Sequence, residues 1–322
     1  MYIENLKFSL WADFIERDYL DNEFKELIDK EIINGATSNP AIFKNAILNS
    51  PAYKEQLSTL DGLSAKEKYE AVAIYDIKKA ADILKPLYDK NDDGYVSIEV
   101  DPFLCDDADA TVAEGKRLFK EIGRENVMIK VPATQAGYIA MKELTSVGIP
   151  VNATLIFKKT QAIFCAEAFR EGTSIYGESV NTVISIFVSR IDAKLASLGI
   201  NDNLSGIYNT AEIYAEIESR NVKGCRALFA STGIKDKSLP THYYIEELLA
   251  YNSVNTAPID TIKAYYSNGR KDKALPISKD VIKAYFEKVK NAGVDFDEVL
   301  DKQIVDGLDA FKDAFKDILE SL

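Results

Sequence analysis

The chain has 322 residues, 47% of them hydrophobic, which is enough to bury a large core in one α/β domain or two smaller ones. Its net charge is −12 and no block of basic residues interrupts the acidic balance, which argues against nucleic acid or an anionic membrane as a partner. Three scattered cysteines argue against a disulfide framework, and His242, the only histidine, leaves almost no basis for histidine metal sites or Ser-His nucleophile pairs.

The first fourteen residues have no basic flank followed by an apolar stretch, as a secretory signal would. No later segment reaches the length needed to span a bilayer. We therefore expect a cytoplasmic protein, without a metal or cofactor, whose acid–base chemistry comes from carboxylates, lysine or tyrosine.

Eight short apolar runs predict β-strands that alternate with helices along most of the chain. The runs are 8–13, 36–39, 95–101, 127–131, 151–157, 183–190, 225–231 and 253–257. The segments between them have apolar spacings of three and four, with helix caps such as the Ser64–Glu67 capping box and the terminating glycines Gly123 and Gly148. This alternation predicts parallel strands with helices outside.

The polar residues of the strands favour a closed barrel over a doubly wound sheet. No nucleotide-binding glycine motif follows any strand. Asn152 and Thr154 alternate with Val151, Ala153 and Leu155, so the strand has one apolar face to pack under helices and one polar face. In a barrel the polar face points inward and opens at the C-terminal mouth. We predict an α/β fold of the (β/α)₈ TIM barrel type.

Further helices follow the predicted barrel. Ser278 caps one that ends at Gly293, and the last begins near Asp301 with a single apolar stripe made of Ile304, Leu308, Phe311, Phe315, Ile318 and Leu319. We expect this last helix to pack on the barrel exterior; a lid over the mouth or a dimer surface is the alternative. The whole chain, 1–322, is interpreted as one domain, with the barrel at about 8–270 and the additional C-terminal helices at about 278–322.

Lys130 is a lone cation in the apolar run 127–131. Burial disfavours the charged form of a lysine, and a neutral amine is a nucleophile. The alternative is a lysine at a strand end that reaches solvent, or that pairs with a carboxylate on a neighbouring strand.

Polar residues from several strands share the inward parity of Lys130, namely Asp13, Asn39, Glu99, Asn152, Thr154 and Ser185. A closed barrel would gather them in one pocket. An amine that adds to a carbonyl needs a group to shuttle protons, and without a histidine the candidates are Asp13 and Glu99. Either could instead be only a salt-bridge partner of Lys130.

Five segments resemble signature blocks of the transaldolase family and occur in the family's order. They are ATSNPAIF at 36–43, VSIEVDP at 96–102, MIKVPAT at 128–134 followed by Gly137, VNATLIFKKTQ at 151–161 and SIFVSRID at 185–192. The resemblance implies a metal-free, Schiff-base enzyme of the pentose phosphate pathway. Such enzymes move a dihydroxyacetone unit from sedoheptulose 7-phosphate to glyceraldehyde 3-phosphate, giving erythrose 4-phosphate and fructose 6-phosphate.

The resemblance also implies roles for individual residues. Lys130 would form the Schiff base, and Asp13 would be the general acid and base of carbon–carbon cleavage. Glu99 and Thr154 would hold the water that relays protons during imine formation. The remaining pocket would be lined by side chains around the dihydroxyacetone unit, with two amides binding its hydroxyls: Asn39 and Asn152, together with Thr37, Ser185 and Phe187.

A phosphate site is expected at the barrel mouth, where backbone amides and helix starts bind dianions. Arg190 and Ser231 match the family there, although a salt bridge from Arg190 to Asp192 or to another acid on the rim is the alternative. The chain departs from the family at the second cation. Many members have arginine two residues after the serine, whereas here Gly233 stands there and Lys235 follows, without the bidentate geometry of arginine.

Two other functions fit the same residues. One is an aldolase like the fructose 6-phosphate aldolases, which uses the same imine but releases its product to water. The other is a non-catalytic sugar-phosphate binder. The length of the chain favours transaldolase, because those aldolases are much shorter. Small sugar phosphates are the expected partners, and the chain is a monomer or a homodimer.

Overall fold

The strands close into a barrel. In the computed structural model, which describes residues 2–322, they are β1 (Tyr2–Ile3), β2 (Phe8–Ala12), β3 (Gly35–Thr37), β4 (Tyr95–Glu99), β5 (Val127–Pro132), β6 (Val151–Ile156), β7 (Thr182–Phe187), β8 (Cys225–Ala230) and β9 (Ser253–Ala257). From β2 to β9 each strand runs parallel to the next, and β9 pairs with β2. β1 pairs antiparallel with β2. The predicted (β/α)₈ barrel is confirmed.

Helices connect the strands and extend beyond them. They are α1 (Arg17–Asp21), α2 (Glu23–Asp29), α3 (Pro40–Asn49), α4 (Lys54–Ser58), α5 (Ala65–Asp89), α6 (Ala108–Ile122), α7 (Gln135–Thr145), α8 (Lys159–Tyr176), α9 (Ser189–Ala196), α10 (Ser205–Arg220), α11 (Tyr243–Glu247), α12 (Ile259–Asn268), α13 (Lys279–Asn291) and α14 (Phe296–Ser321). The Ser64–Glu67 capping box starts α5, and Gly123 ends α6 in the left-handed region. Within residues 2–322, every helix is too short or too polar to cross a bilayer.

Side chains fill and close the half of the barrel interior at the N-terminal ends of the strands. Trp11 belongs to an inner cluster of apolar side chains from successive strands, and its indole nitrogen donates to Asp93 at 3.0 Å. Asp93 also pairs with Arg226. Gly35 has no room for a side chain, because an added Cβ would lie 2.4 Å from the Trp11 ring. Only the C-terminal half of the interior is therefore left for a site.

One residue predicted on the outer face lies inside. Leu155 was expected to alternate outward with Val151 and Ala153, but it packs in the inner cluster with Phe157, while Ile156 packs under the helices. The β6–β7 register shifts between Ala153 and Ile156, and Leu155 has a φ of 60°. A bulge of this kind reverses the alternation, which no count of polar and apolar residues reveals.

The run predicted as 183–190 is a strand only to Phe187. Helix α9 begins at Ser189, so Arg190 lies in the first turn of a helix and not at a strand end. The position is still the C-terminal rim of the barrel, because α9 follows β7 directly. The last helix also differs from prediction. It begins at Phe296, capped by Asp295, and not near Asp301.

Helix α14 crosses the mouth of the barrel. Its residues Leu300 and Phe311 belong to the same buried cluster as Phe187 on β7. Gly307 brings the helix close, since an added Cβ would be 3.0 Å from the Leu155 side chain. The last turns of the helix pack on the barrel exterior as expected, with Phe315 and Ile318 in the outer cluster, whereas its middle covers the mouth as the alternative of a lid describes.

Ion pairs hold the lid on both sides of the mouth. Near its start, Asp301 is 2.6 Å from the ammonium of Lys158. Toward its end, Asp317 pairs with Lys44 on α3. The last turns of α14 thus rest on α3, and Phe315 packs edge-on against Tyr69 of α5.

Candidate active site

A cavity of about 170 Å³ lies at the C-terminal end of the barrel, partly covered by α14. Nine of the twelve residues predicted for the site line it, namely Asp13, Thr37, Asn39, Lys130, Ser185, Phe187, Arg190, Ser231 and Lys235. The other three, Glu99, Asn152 and Thr154, are buried on β4 and β6, the strands that flank Lys130 on β5. The structure thus brings the predicted residues to one end of the barrel.

Lys130 is buried at the wall of this cavity, with 5% of its surface exposed. Its ammonium nitrogen donates to the carbonyl of Ser38 at 3.0 Å and lies 3.6 Å from Oε2 of Glu99. The ring of Phe311 is centred 5.8 Å from the same nitrogen. Lys130 therefore does not reach out to solvent, but it does pair with a carboxylate from a neighbouring strand, which was the alternative left open by the sequence.

Glu99 can take both protonation states near neutral pH. Burial raises the pKa of its carboxyl to about 7, although the charge of Lys130 acts against this. Among the described residues, neither of its oxygens has a hydrogen-bond partner, and the same holds for the hydroxyl of Thr154. Buried polar atoms are usually paired, so these two side chains have hydrogen-bonding capacity to offer to molecules beside Lys130.

Asp13 follows β2 and is partly exposed to the cavity. Desolvation raises the pKa of its carboxyl, while Lys130, the hydrogen bond from Thr37 and the more distant Arg190 lower it, and the net direction is upward. The hydroxyl of Thr37 donates to Oδ1 of Asp13 at 2.7 Å. A carboxylate held in this way can accept a proton from a hydroxyl inside the cavity.

The two amides predicted to bind substrate are placed differently. Asn39 lines the cavity and caps α3, since its Oδ1 accepts from the backbone nitrogen of Ile42 at 3.0 Å. Its amide nitrogen remains available as a donor. Asn152 is fully buried, donates to Ser97 at 3.2 Å and accepts from Ser185 at 2.6 Å. Ser185 reaches the cavity wall, whereas Asn152 lies behind it.

The far side of the cavity is cationic. The guanidinium of Arg190 stacks on the ring of Phe187, with 5.0 Å between them. Desolvation lowers the pKa of Arg190, and the charges of Asp13 and Glu99 oppose the change. The alternative salt bridge to Asp192 is not formed. That carboxylate accepts instead from the backbone of Gly206 and from the hydroxyl of Tyr244.

The loop after β8 completes this side. The backbone nitrogen of Ser189 donates to the carbonyl of Ser231 at 3.0 Å, and the two hydroxyls are also 3.0 Å apart. This contact holds the first turn of α9, with Arg190, beside the loop. Lys235 lines the same cavity. Two cations and a hydroxyl at a helix start are the groups that bind a phosphate dianion.

Some residues of the cavity were not predicted. Phe311 was recognised only as part of an amphipathic stripe, and Thr256 only as part of a strand; Ala230, Gly233 and Pro258 complete the wall. Thr256 shares the inward parity of Val254, and that parity was the available signal. In residues 2–322, no group of three or more His, Cys, Asp or Glu side chains is arranged to hold a metal ion.

Comparison with known proteins places the chain in a family. The family model described as Transaldolase/Fructose-6-phosphate aldolase matches residues 10–322. The chain belongs to this family. A transaldolase of Campylobacter jejuni subsp. doylei (strain ATCC BAA-1458 / RM4099 / 269.97) is 48% identical over 326 residues, which cover 98% of this chain and 99% of that protein. A transaldolase of Helicobacter pylori (strain Shi470) is 44% identical over 324 residues, with the same coverage.

The resemblance to transaldolases inferred from five short segments is thus confirmed over nearly the full length. Membership of the family also draws attention to the one cavity residue that differs from the pattern expected from the resemblance. At Gly233, where the resemblance led us to expect arginine, an added Cβ would lie 3.1 Å from the ring of Pro258. Lys235, two residues further along the loop, places a cation in the lining of the cavity instead.

Proposed function

We propose that the chain is a transaldolase that carries a dihydroxyacetone unit as an imine on Lys130. The observation that carries the proposal is the surroundings of this amine. It is buried 3.6 Å from Glu99, in a cavity shared with Asp13 and with the cation Arg190. A ketose phosphate presents groups that suit both sides, namely a carbonyl for the amine and a phosphate for the cations.

The first step is imine formation. The amine of Lys130 adds to the C2 carbonyl of the ketose, and the resulting carbinolamine loses its hydroxyl as water. Glu99 supplies the proton that the departing hydroxyl needs, and a pKa of about 7 suits a group that gives and regains a proton at neutral pH. The unpartnered hydroxyl of Thr154 on the other side of Lys130 is suited to hold the water that carries the proton.

The second step is cleavage of the C3–C4 bond. The carboxylate of Asp13 takes the proton of the C4 hydroxyl, the aldehyde leaves, and the bonding electrons pass into the protonated imine to give an enamine. An aldehyde acceptor then takes the place of the first aldehyde. The enamine attacks its carbonyl, Asp13 returns the proton to the new hydroxyl, and hydrolysis of the imine frees the product.

The cations on one side of the cavity determine the orientation of the bound sugar phosphate. Arg190, Ser231 and Lys235 would hold the phosphate of the donor and acceptor sugars, while Asn39 and Ser185 face the dihydroxyacetone unit. Asn152, which lies behind the cavity wall, acts by orienting Ser185. With these substrates the reaction belongs to the pentose phosphate pathway, with sedoheptulose 7-phosphate and fructose 6-phosphate as the two ketoses.

An aldolase that releases its product to water is the second candidate, because the family includes such enzymes. The position of Phe311, whose ring is centred 5.8 Å from the lysine nitrogen, favours transfer. An apolar ring over the imine limits access of water, so the enamine persists without being protonated until an aldehyde binds. A non-catalytic binder would have no need for a buried amine flanked by two carboxylates.

Chemical trapping tests the proposal. Fructose 6-phosphate and sodium borohydride should add a reduced dihydroxyacetone unit to the peptide that contains Lys130, as measured by mass spectrometry. The Lys130→Met variant should gain no mass and lose turnover while it still binds the sugar phosphate. An unmodified peptide in the active protein, or turnover by the variant, would rule the imine out.

Acceptor dependence separates the two enzymes. With fructose 6-phosphate alone, free dihydroxyacetone should not accumulate, and adding erythrose 4-phosphate should produce sedoheptulose 7-phosphate. Steady release of dihydroxyacetone without any acceptor would support the aldolase instead.

A further inference from the structure

Three side chains form a hydrogen-bonded row along the wall of the cavity. The hydroxyl of Thr256 on β9 is 2.6 Å from the hydroxyl of Thr37 on β3. The hydroxyl of Thr37 is in turn 2.7 Å from Oδ1 of Asp13, which follows β2 between those two strands. Both threonines are buried, with 3% of Thr256 and 1% of Thr37 exposed.

Counting hydrogens gives this row a direction. A threonine hydroxyl has one hydrogen to donate, whereas an ionised carboxylate only accepts. Thr37 must therefore use its hydrogen on Asp13, and the short contact between the two hydroxyls requires Thr256 to donate to Thr37. The row runs from Thr256 to Thr37 to Oδ1 of Asp13.

We propose that Thr256 is a positioning residue for the reaction, which fixes the direction of the Thr37 hydroxyl and leaves Oδ2 of Asp13 as the oxygen that exchanges a proton with substrate. The inference rests on the proposed function, in which Asp13 is the acid and base of carbon–carbon cleavage. Thr256 acts through Thr37 and makes no bond to the carboxylate itself.

Reversal of the row is disfavoured. A proton on Oδ1 would have to be donated to Thr37, which would then donate to Thr256. The hydrogen of Thr256 would be left without its acceptor, and within the described residues Thr37 is the only side chain that it contacts by a hydrogen bond. Leaving a buried hydrogen-bond donor without an acceptor is costly, so the proton gained during cleavage stays on Oδ2.

The row also favours the ionised form of Asp13. Burial raises the pKa of this carboxyl, and the hydrogen bond from Thr37 lowers it. Lys130 and Arg190 face the carboxyl and lower its pKa as well, whereas the nearby Glu99 carries charge of the same sign. A donor behind Thr37 strengthens the bond that Thr37 makes, since linked hydrogen bonds polarise one another.

The backbone of Thr256 is held independently of its hydroxyl. Its carbonyl accepts from the hydroxyl of Thr232 at 2.9 Å, and the neighbouring carbonyl of Ala257 accepts from the backbone nitrogen of Asp13. A change from threonine to valine at 256 keeps the shape of the side chain and these backbone contacts, so its main effect is the loss of the hydroxyl.

The Thr256→Val variant tests the inference. The titration of Asp13 is followed in the free enzyme by ¹³C NMR with labelled aspartate carboxyls, and the Asp13 signal is identified by its loss in Asp13→Asn. The pKa of Asp13 should rise by about half a pH unit in Thr256→Val, given the strength of a bond to a charged group and its cooperative part. The acid limb of kcat/KM should move with it, giving about threefold lower kcat/KM at pH values below the limb.

Two further variants separate this effect from a general disturbance. Thr256→Ser restores the donor and should restore the wild-type titration. Thr210→Val removes a buried hydroxyl on α10 that has no hydrogen-bond partner within the described residues, and should leave the titration unchanged. A wild-type titration in Thr256→Val, or the same rise in Thr256→Ser, overturns the inference. Borohydride trapping on wild-type Lys130 reports on the proposed function separately, so failure of one is distinguishable from failure of the other.

Discussion

Replacing Glu99 with glutamine should stabilise the folded protein at alkaline pH, although it removes a group to which the proposed reaction gives a role. Glu99 is 7% exposed, and burial raises the pKa of its carboxyl from the ordinary 4.5 to about 7 despite the attraction of Lys130. In the unfolded chain the same carboxyl is hydrated and ionises near its ordinary value. Ionisation of Glu99 therefore opposes folding.

The size of the effect follows from the two pKa values. Between pH 4.5 and 7 the folded state binds a proton that the unfolded state has lost, so the free energy of unfolding falls as the pH rises. At about 1.4 kcal/mol for each pKa unit, the loss is complete above pH 7 and amounts to about 3 kcal/mol. Glutamine resembles the protonated acid and cannot ionise. The variant should thus match the wild type near pH 4.5 and exceed it by about 3 kcal/mol at pH 8.

Urea unfolding from pH 4.5 to 8.5 measures this difference. Other groups that titrate in the range, such as the buried Asp192, contribute equally to both proteins and cancel. Glu178→Gln is the matched control, because Glu178 is exposed and should show a flat difference. A flat curve for Glu99→Gln, or a difference that grows toward acid pH, would refute the argument from burial.

Four other changes have expected outcomes. Arg190→Leu should raise KM for fructose 6-phosphate about tenfold or more while KM for unphosphorylated fructose changes little, and Lys235→Met should act in the same direction with a smaller effect, as steady-state kinetics can check. Equal effects on both sugars would contradict a phosphate site. If the proposed imine forms on Lys130, Phe311→Ala should raise severalfold the ratio of dihydroxyacetone released to dihydroxyacetone transferred, because water would then reach it; an unchanged product ratio argues against a cover. Gly35→Ala should lower the free energy of unfolding by about 2 kcal/mol, because the new Cβ would overlap the Trp11 ring, and urea unfolding with a wild-type midpoint would count against that overlap.

Alternation along the strands was sufficient to predict most of the site. Neighbouring parallel strands keep a common register, so Glu99 lies beside Lys130 and Lys130 beside Asn152. Side chains that face inward from neighbouring strands then meet inside the barrel, whatever their distance in sequence. Arg190 does not follow this rule, since it has the opposite parity to Ser185 and Phe187 and lines the cavity because it lies in the first turn of α9, directly after β7.

The misplaced and missed residues have physical reasons. Leu155 faces inward because its own backbone adopts a left-handed conformation. A glycine at this position would have suggested a bulge from the sequence, whereas a leucine does not. Phe311 covers Lys130 because α14 crosses the mouth, and an amphipathic stripe says that a helix face is buried without saying against which surface. Thr256 shares the inward parity of Val254, but the sequence does not show that its hydroxyl meets the hydroxyl of Thr37 on β3, which is the contact on which its inferred role rests.

The closure of the barrel has a consequence for how the protein is made. Ser9 on β2 pairs with Val254 on β9, so the edge of β2 stays open on the ribosome until the last barrel strand has emerged. Unpaired strand edges can pair with other chains, and a nascent chain of this kind needs this edge protected for most of translation. Phe311 is synthesised later still, so in an unfinished chain Lys130 lacks the aromatic ring that lies over its amine in the folded barrel.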